Sequence, residues 1–239
     1  MQWTRDRTGR FPERPYYHPD ELDQECEHLI TTFLRDRHGH VEFPVATDDL
    51  TVLVEQAGAA LDLYADLSAH EGMVQGFTEF APGHKPLVRI SQRLSENPRY
   101  ENRLRTTLTH EWGHVWFHRA LWEARWRLGQ LFGGGSRIAY LCQHATIIGA
   151  PKSDWAEWQA GYVSGALLMP VSTLHAVIRR FLERERLLRA PFPVSSSAGY
   201  TLIHDVAATF AVSADAARVR LLQRGVLMAE EVVQGNLFA

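Results

Sequence analysis

The sequence predicts an α+β protein, mostly helical, with a small three-stranded sheet ahead of its central helix and a helix-turn-helix-like segment near the C-terminus. Three observations predict it. Apolar residues recur at helical spacing around His110-Glu111-Trp112-Gly113-His114. Residues 61–90 switch to short, β-leaning segments broken by Gly, Pro and His. Residues 202–225 read as two short helices joined at Ala211-Val212-Ser213 and stopped by Gly225.

Composition narrows the classes. A chain of 239 residues, 45% hydrophobic and 22% charged, suits one large domain or two small ones with a proper core. A net charge of −3 argues against a general nucleic-acid binder. There is no apolar run of about 18 residues, so no membrane-spanning helix is expected. The opening MQWTRDRTGR lacks the apolar core of a secretory signal. Two cysteines, Cys26 and Cys142, are too few for a disulfide framework, and the expected location is cytoplasmic.

Taken in order, residues 1–19 carry Pro12, Pro15 and Pro19 among Arg and Tyr and read as an extended, flexible arm. From Asp20, the spacing of Leu22, Cys26, Leu29, Ile30 and Phe33 predicts an amphipathic helix. Asp48 or Asp49 is placed to cap a second helix, closed near Gly58. Three strands follow, over Leu61–Tyr64, Met73–Phe80 and Leu87–Ile90, with Pro82-Gly83-His84-Lys85-Pro86 as a hairpin turn. A strand at the rim of a site would offer free backbone groups to an extended peptide.

Asn97 as cap and Pro98 at the first position start the central helix, expected over 98–118 or somewhat longer. Residues 119–153 read as an insertion: its Leu131-Phe132-Gly133-Gly134-Gly135-Ser136 lacks the Lys of a phosphate loop, and Cys142 and His144 lack metal-site spacing. A helix begun by Asp154 and ended by Pro170 comes next, with Glu157, Ala160, Gly161, Ser164 and Leu168 on one face. Its small residues allow close approach of another helix. Ser172 is the expected cap of a further helix to about Leu188, whose arginines read as a solvated face. In the 202–225 pair, Ala207 and Val212 hold expected core positions, and Arg218, Arg220 and Arg224 are the cations available to phosphates.

The chemistry lies at His-Glu-x-x-His. Residues four apart lie above one another on a helix face, so His110 and His114 can hold one zinc while Glu111 takes a proton from the attacking water. About one shuffled chain in 25 of this composition carries the pattern, so context must decide. The metzincin extension needs Gly and His where this chain has Phe117 and Ala120, which excludes it. His118 reads as a neighbour of the ligands rather than a third ligand, because three ligands on one straight helix strain tetrahedral geometry. A carboxylate from a later helix remains: Glu157 first, Asp154 second. Against this, Asp154-x-x-Glu157 also reads as a capping box in which Glu157 folds back on its own helix terminus.

HEWGH at 110–114 together with EWQAGYVSGALLMP at 157–170 resembles the ImmA/IrrE family of metallopeptidases. The hairpin ahead of the helix and FAVSADAARVRLL at 210–222 fit the same pattern, so the likeness covers about residues 21–228. The resemblance implies zinc held by His110, His114 and Glu157, with Glu111 as general base. It also implies cleavage of a repressor-type regulator in a stress, phage or mobile-element response. Gly161, Val163 and Ser164 depart from the Asn, Phe and Ala frequent in the family, which bears on partner and pocket shape.

The expected protein is therefore a zinc endopeptidase of the gluzincin type, with one zinc per chain, and two histidines with one carboxylate do not exclude Mn2+ or Fe2+ in its place. Its expected division is an arm over 1–19, a zincin-like metallopeptidase domain over 20–175 with the 119–153 insertion, and a helical, helix-turn-helix-like subdomain over 176–239. Tyr162, His118 and His175 are the candidate oxyanion donors. The expected partner is a protein substrate, with no membrane. The alternatives are a metal-containing regulator that binds DNA through 202–225 and a non-catalytic partner-binding protein.

Overall fold

The computed structural model describes residues 1–69, 74–130, 138–143 and 154–229, with the backbone alone at 130 and 138–143. The chain is α+β. Residues 1–16 are not an arm: β1 (Gln2–Arg5) and β2 (Glu13–Tyr16) pair antiparallel. Phe11 between them is buried against Trp122 and Trp155, burial that a sequence dominated by Arg and Pro does not announce. The prolines fit because β2 is one strand of a two-stranded ribbon, where Pro15 need not donate to a further ladder.

Helix α1 (Pro19–His38) starts with a reciprocal cap: the His18 ring accepts from Asp20 N, and His18 N donates to the Glu21 carboxylate (2.8 Å). It ends on Gly39 at φ 78°, a left-handed conformation that costs glycine nothing. Helix α2 (Thr47–Gln56) is capped by Ala46 with no side-chain bond, so neither Asp48 nor Asp49 is the cap. Asp49 instead faces α1, accepting from Arg37 Nε (2.7 Å) and lying 3.0 Å from His38 Nε2.

The sheet has four strands rather than three, in the order β3-β5-β4-β6. Strand β3 (Ala60–Ala65) runs parallel to β5 (Leu87–Ser91), and β4 (Val74–Phe80) is antiparallel to both β5 and β6 (Ile138–Gln143). The fourth strand comes from the stretch read as an insertion. The predicted Pro82–Pro86 turn does connect β4 to β5. Cys142 contributes backbone to β6; its side chain and His144 lie outside the described residues.

A short α3 (Gln92–Ser95) and a 3-10 turn (Pro98–Tyr100) lead into α4, Glu101–Gln130. Asn97 caps that turn, accepting from Arg99 N, rather than the α-helix itself. Helix α4 outruns the expected end near 118 because Leu121, Trp122 and Trp126 continue its buried face. Helix α5 (Trp155–Leu168) lies against α4 and runs opposite to it: Gly113 meets Ala160, and Thr109 meets Ser164 further back along α4. A Cβ added at Gly113 would stand 3.2 Å from Ala160 Cα, so this glycine sets the helix separation.

Pro170 breaks the chain, and α6 (Val171–Arg184) leaves at 62° to α5. Ser172 is not its cap; its amide and hydroxyl bond Glu27 of α1. Helices α7 (Ser197–Phe210) and α8 (Ala214–Gln223) turn at Ala211, which takes a positive φ of 48°. Val212 is buried there and Ala207 half-buried. Two short strands, β7 (Phe192–Pro193) and β8 (Leu227–Met228), pair in parallel. One buried apolar cluster runs from Leu22 on α1 through Trp112 and Leu167 to Leu227, so the C-terminal helices share the core of the central ones. No single helix among the described residues is long and apolar enough to cross a membrane.

Candidate metal centre

Helix α4 presents His110 and His114 one turn apart on the face toward α5, and the first turn of α5 presents Glu157 to both. The imidazole Nε2 atoms stand 3.1 Å apart. Glu157 Oε2 is 3.2 Å from His110 Nε2, and Oε1 is 3.3 Å from His114 Nε2. One ligand atom from each residue lies within 4.8 Å of the others, and all three side chains are buried. The capping alternative is thereby resolved. Asp154 caps α5 through Glu157 N (3.5 Å), but the Glu157 carboxylate points to the histidines instead of folding back. Asp154 pairs with Arg10 of the N-terminal hairpin, outside the three-residue group.

Electrostatics holds the group together. Burial pushes the Glu157 carboxyl up, but the charge of His114 and hydrogen bonds from both histidines outweigh it and leave it well below the usual range. Burial pushes His114 down, and Glu157 more than reverses that, so its pKa is raised. Two imidazole nitrogens and a carboxylate oxygen converging among buried side chains form a donor set that would suit zinc and related divalent ions.

Glu111 is fully buried beside this group. Thr78 Oγ1, from β4, donates to Glu111 Oε2 (2.6 Å), while Oε1 has no partner among the described residues. Burial raises its pKa, and the two histidines and Thr78 offset that only in part. A carboxylate with one oxygen anchored, the other unpaired and a raised proton affinity is built to take up a proton. Thr78 was invisible in the sequence, since a strand threonine 33 residues before Glu111 carries no local signal.

His118 is buried behind His114, with Nδ1 3.0 Å from His114 Nδ1 and Nε2 3.2 Å from Gln159 Oε1. Of the other candidate oxyanion donors, Tyr162 donates its hydroxyl to Asp23 of α1 (2.9 Å), and His175 is exposed on α6. The arginines considered for phosphates are largely committed internally. Arg220 is buried, 2.6 Å from Asp23 Oδ1, and Arg224 pairs with Asp20 and Asp23. Only Arg218 keeps a more open position, 3.6 Å from Asp215.

Fold and site together define an α+β protein with a buried group of two histidines and one glutamate able to hold a metal ion. Compared with known proteins, the chain matches no family model and no curated protein.

Proposed function

We propose that this protein is a zinc-dependent endopeptidase acting on a protein substrate, with the residue pattern of the ImmA/IrrE metallopeptidases. The observation that carries the proposal is Glu111: a site that only stored or structured a metal has no use for a buried carboxylate beside the ligands, one of whose oxygens has no partner among the described residues. His110, His114 and Glu157 would hold the ion, which supplies Lewis acidity toward a carbonyl and lowers the pKa of water. Glu111 accepts the proton of the attacking water and hands it to the departing amine, a shuttle favoured by its raised pKa. Thr78 fixes the angle of that carboxylate. Strand β4, which carries Thr78, is flanked by β5 and β6, so an extended substrate that adds a strand on this side meets β6. A repressor-type regulator is the proposed substrate, on the strength of the sequence resemblance. Commitment of Arg220 and Arg224 to Asp23 weighs against DNA binding through α8.

The test compares zinc-loaded wild type with Glu111→Gln on the soluble proteome of the source organism, reading newly formed protein N-termini by mass spectrometry. Cleavages present with wild type and reduced on the order of 100-fold or more in the variant, at equal zinc content, are expected. Identical N-termini with both proteins would overturn the proposal.

A further inference from the structure

His114 and His118 meet through their Nδ1 atoms, 3.0 Å apart, and His118 reaches Gln159 Oε1 through Nε2 at 3.2 Å. Every group in this chain is buried. Each contact needs one donor and one acceptor, and an amide oxygen only accepts. His118 Nε2 must therefore carry the proton it gives to Gln159. His118 Nδ1 then offers a lone pair, so the donor to it must be His114 Nδ1–H. A neutral His114 protonated at Nδ1 has its lone pair on Nε2, the atom that faces His110 Nε2 and Glu157. The direction of the chain is thus set at its far end, by a residue on α5 two positions after Glu157.

We infer that Gln159 and His118 are positioning residues that lock His114 in the tautomer presenting Nε2 to the metal. Helix α5 thereby acts on the site twice: Glu157 supplies an oxygen ligand, and Gln159 orients the imidazole ligand opposite. The environment of His118 fits this duty. Its ring packs edge-on to Trp155 (centroids 5.2 Å apart), which restrains the ring plane. His110 lacks a comparable support, its Nδ1 having no partner among the described residues, so the two histidine ligands are held unequally. Groups that accept from a ligating imidazole typically govern metal affinity by about 10- to 100-fold.

The inference rests on the proposed metal centre, yet its first test needs no metal. In metal-free protein labelled with 15N-histidine, at mildly alkaline pH, long-range 1H–15N correlation spectra should show His118 protonated at Nε2 and His114 at Nδ1. A His118 protonated at Nδ1 would overturn it, whatever the protein does with zinc. The second test measures zinc affinity by chelator competition. Gln159→Leu should weaken zinc binding by about tenfold or more, whereas Gln159→Glu, which keeps an acceptor oxygen, should recover most of the loss. Unchanged affinity in Gln159→Leu, or equal loss in both variants, would reduce Gln159 to a packing role. Should Gln159→Leu not fold, Gln159→Met preserves the side-chain length without the amide and takes its place. Failure of the wild type to bind zinc would instead remove the metal centre while the tautomer spectra still stood.

Discussion

At His114, a proton and the proposed metal ion would compete for the same nitrogen. Burial lowers its pKa, Glu157 more than reverses this, and the net result is a histidine that holds its proton above the usual range. In the proposed centre, zinc would have to displace that proton. Affinity is therefore expected to fall by about tenfold for each pH unit below the raised pKa and to level off above it, checked by chelator competition across pH. A flat profile would show that His114 is not a ligand. The metal-free protein carries the opposite linkage on its two partners. The His114 contribution to stability is complete below its unfolded pKa and is lost as pH rises through the raised folded value. The Glu157 contribution is present above its unfolded pKa and is lost as pH falls through the depressed folded value. The motif residues were legible because helical periodicity alone puts His110 and His114 on one face. Glu157 was legible only as one of two readings, since its position after Asp154 fits a cap as well as a ligand. Gln159 and Thr78 were not legible, because their roles exist only once α5 and β4 pack on α4.

At the element scale, the N-terminal hairpin shows how a segment without apolar periodicity can still be ordered. Asp6 is its latch. It accepts from Thr8 N (2.9 Å), Thr8 Oγ1 (2.8 Å), Phe11 N (3.0 Å) and Trp155 Nε1 (3.0 Å). Burial raises its pKa, but these donors outweigh burial and leave it lowered, so the latch holds above the ordinary carboxylate range and releases as pH falls through the depressed value. Asp6→Ala strands buried donors at a cost of about 1–3 kcal/mol. Trypsin should then cut at Arg5, Arg7 and Arg10 faster than in wild type, while α4 and α5 resist; equal cleavage rates would contradict the latch. Prolines and arginines without apolar periodicity suggest mobility, yet here Arg10 reaches Asp154 and Arg14 lies over the Trp155 ring. The fourth strand was missed for a related reason, as its pairing with β4 is set by long-range register. Helix α1 is legible because it buries one stripe spaced at the helical period, whereas α5, buried on nearly every face, is legible only from Asp154 at its start and Pro170 after its end.

At the scale of the whole molecule, the C-terminal helices are joined to the first one by a buried charge cluster as well as by apolar packing. Asp23 of α1 lies 2.6 Å from Arg220 and 2.5 Å from Arg224, and it accepts from Tyr162. Removing one partner leaves a buried charge uncompensated. Asp23→Ala should cost about 3–5 kcal/mol, and Asp23→Leu combined with Arg220→Met should recover a large part of it. Denaturant titration followed by circular dichroism and tryptophan fluorescence checks both values. Because one apolar cluster spans Leu22 to Leu227, the two probes should report a single transition in the wild type. Separate transitions would show that the C-terminal helices fold on their own.

Whether the His110, His114 and Glu157 group between α4 and α5 holds a metal ion, as proposed, is read by zinc stoichiometry. Purified wild type and Glu157→Gln are dialysed against zinc, freed of excess ion and measured by inductively coupled plasma mass spectrometry. About one zinc per wild-type chain is expected, as for a single site of three protein ligands, with a clear loss in the variant. A wild type that retains no zinc, or a variant that retains it fully, would rule out a zinc site built on Glu157.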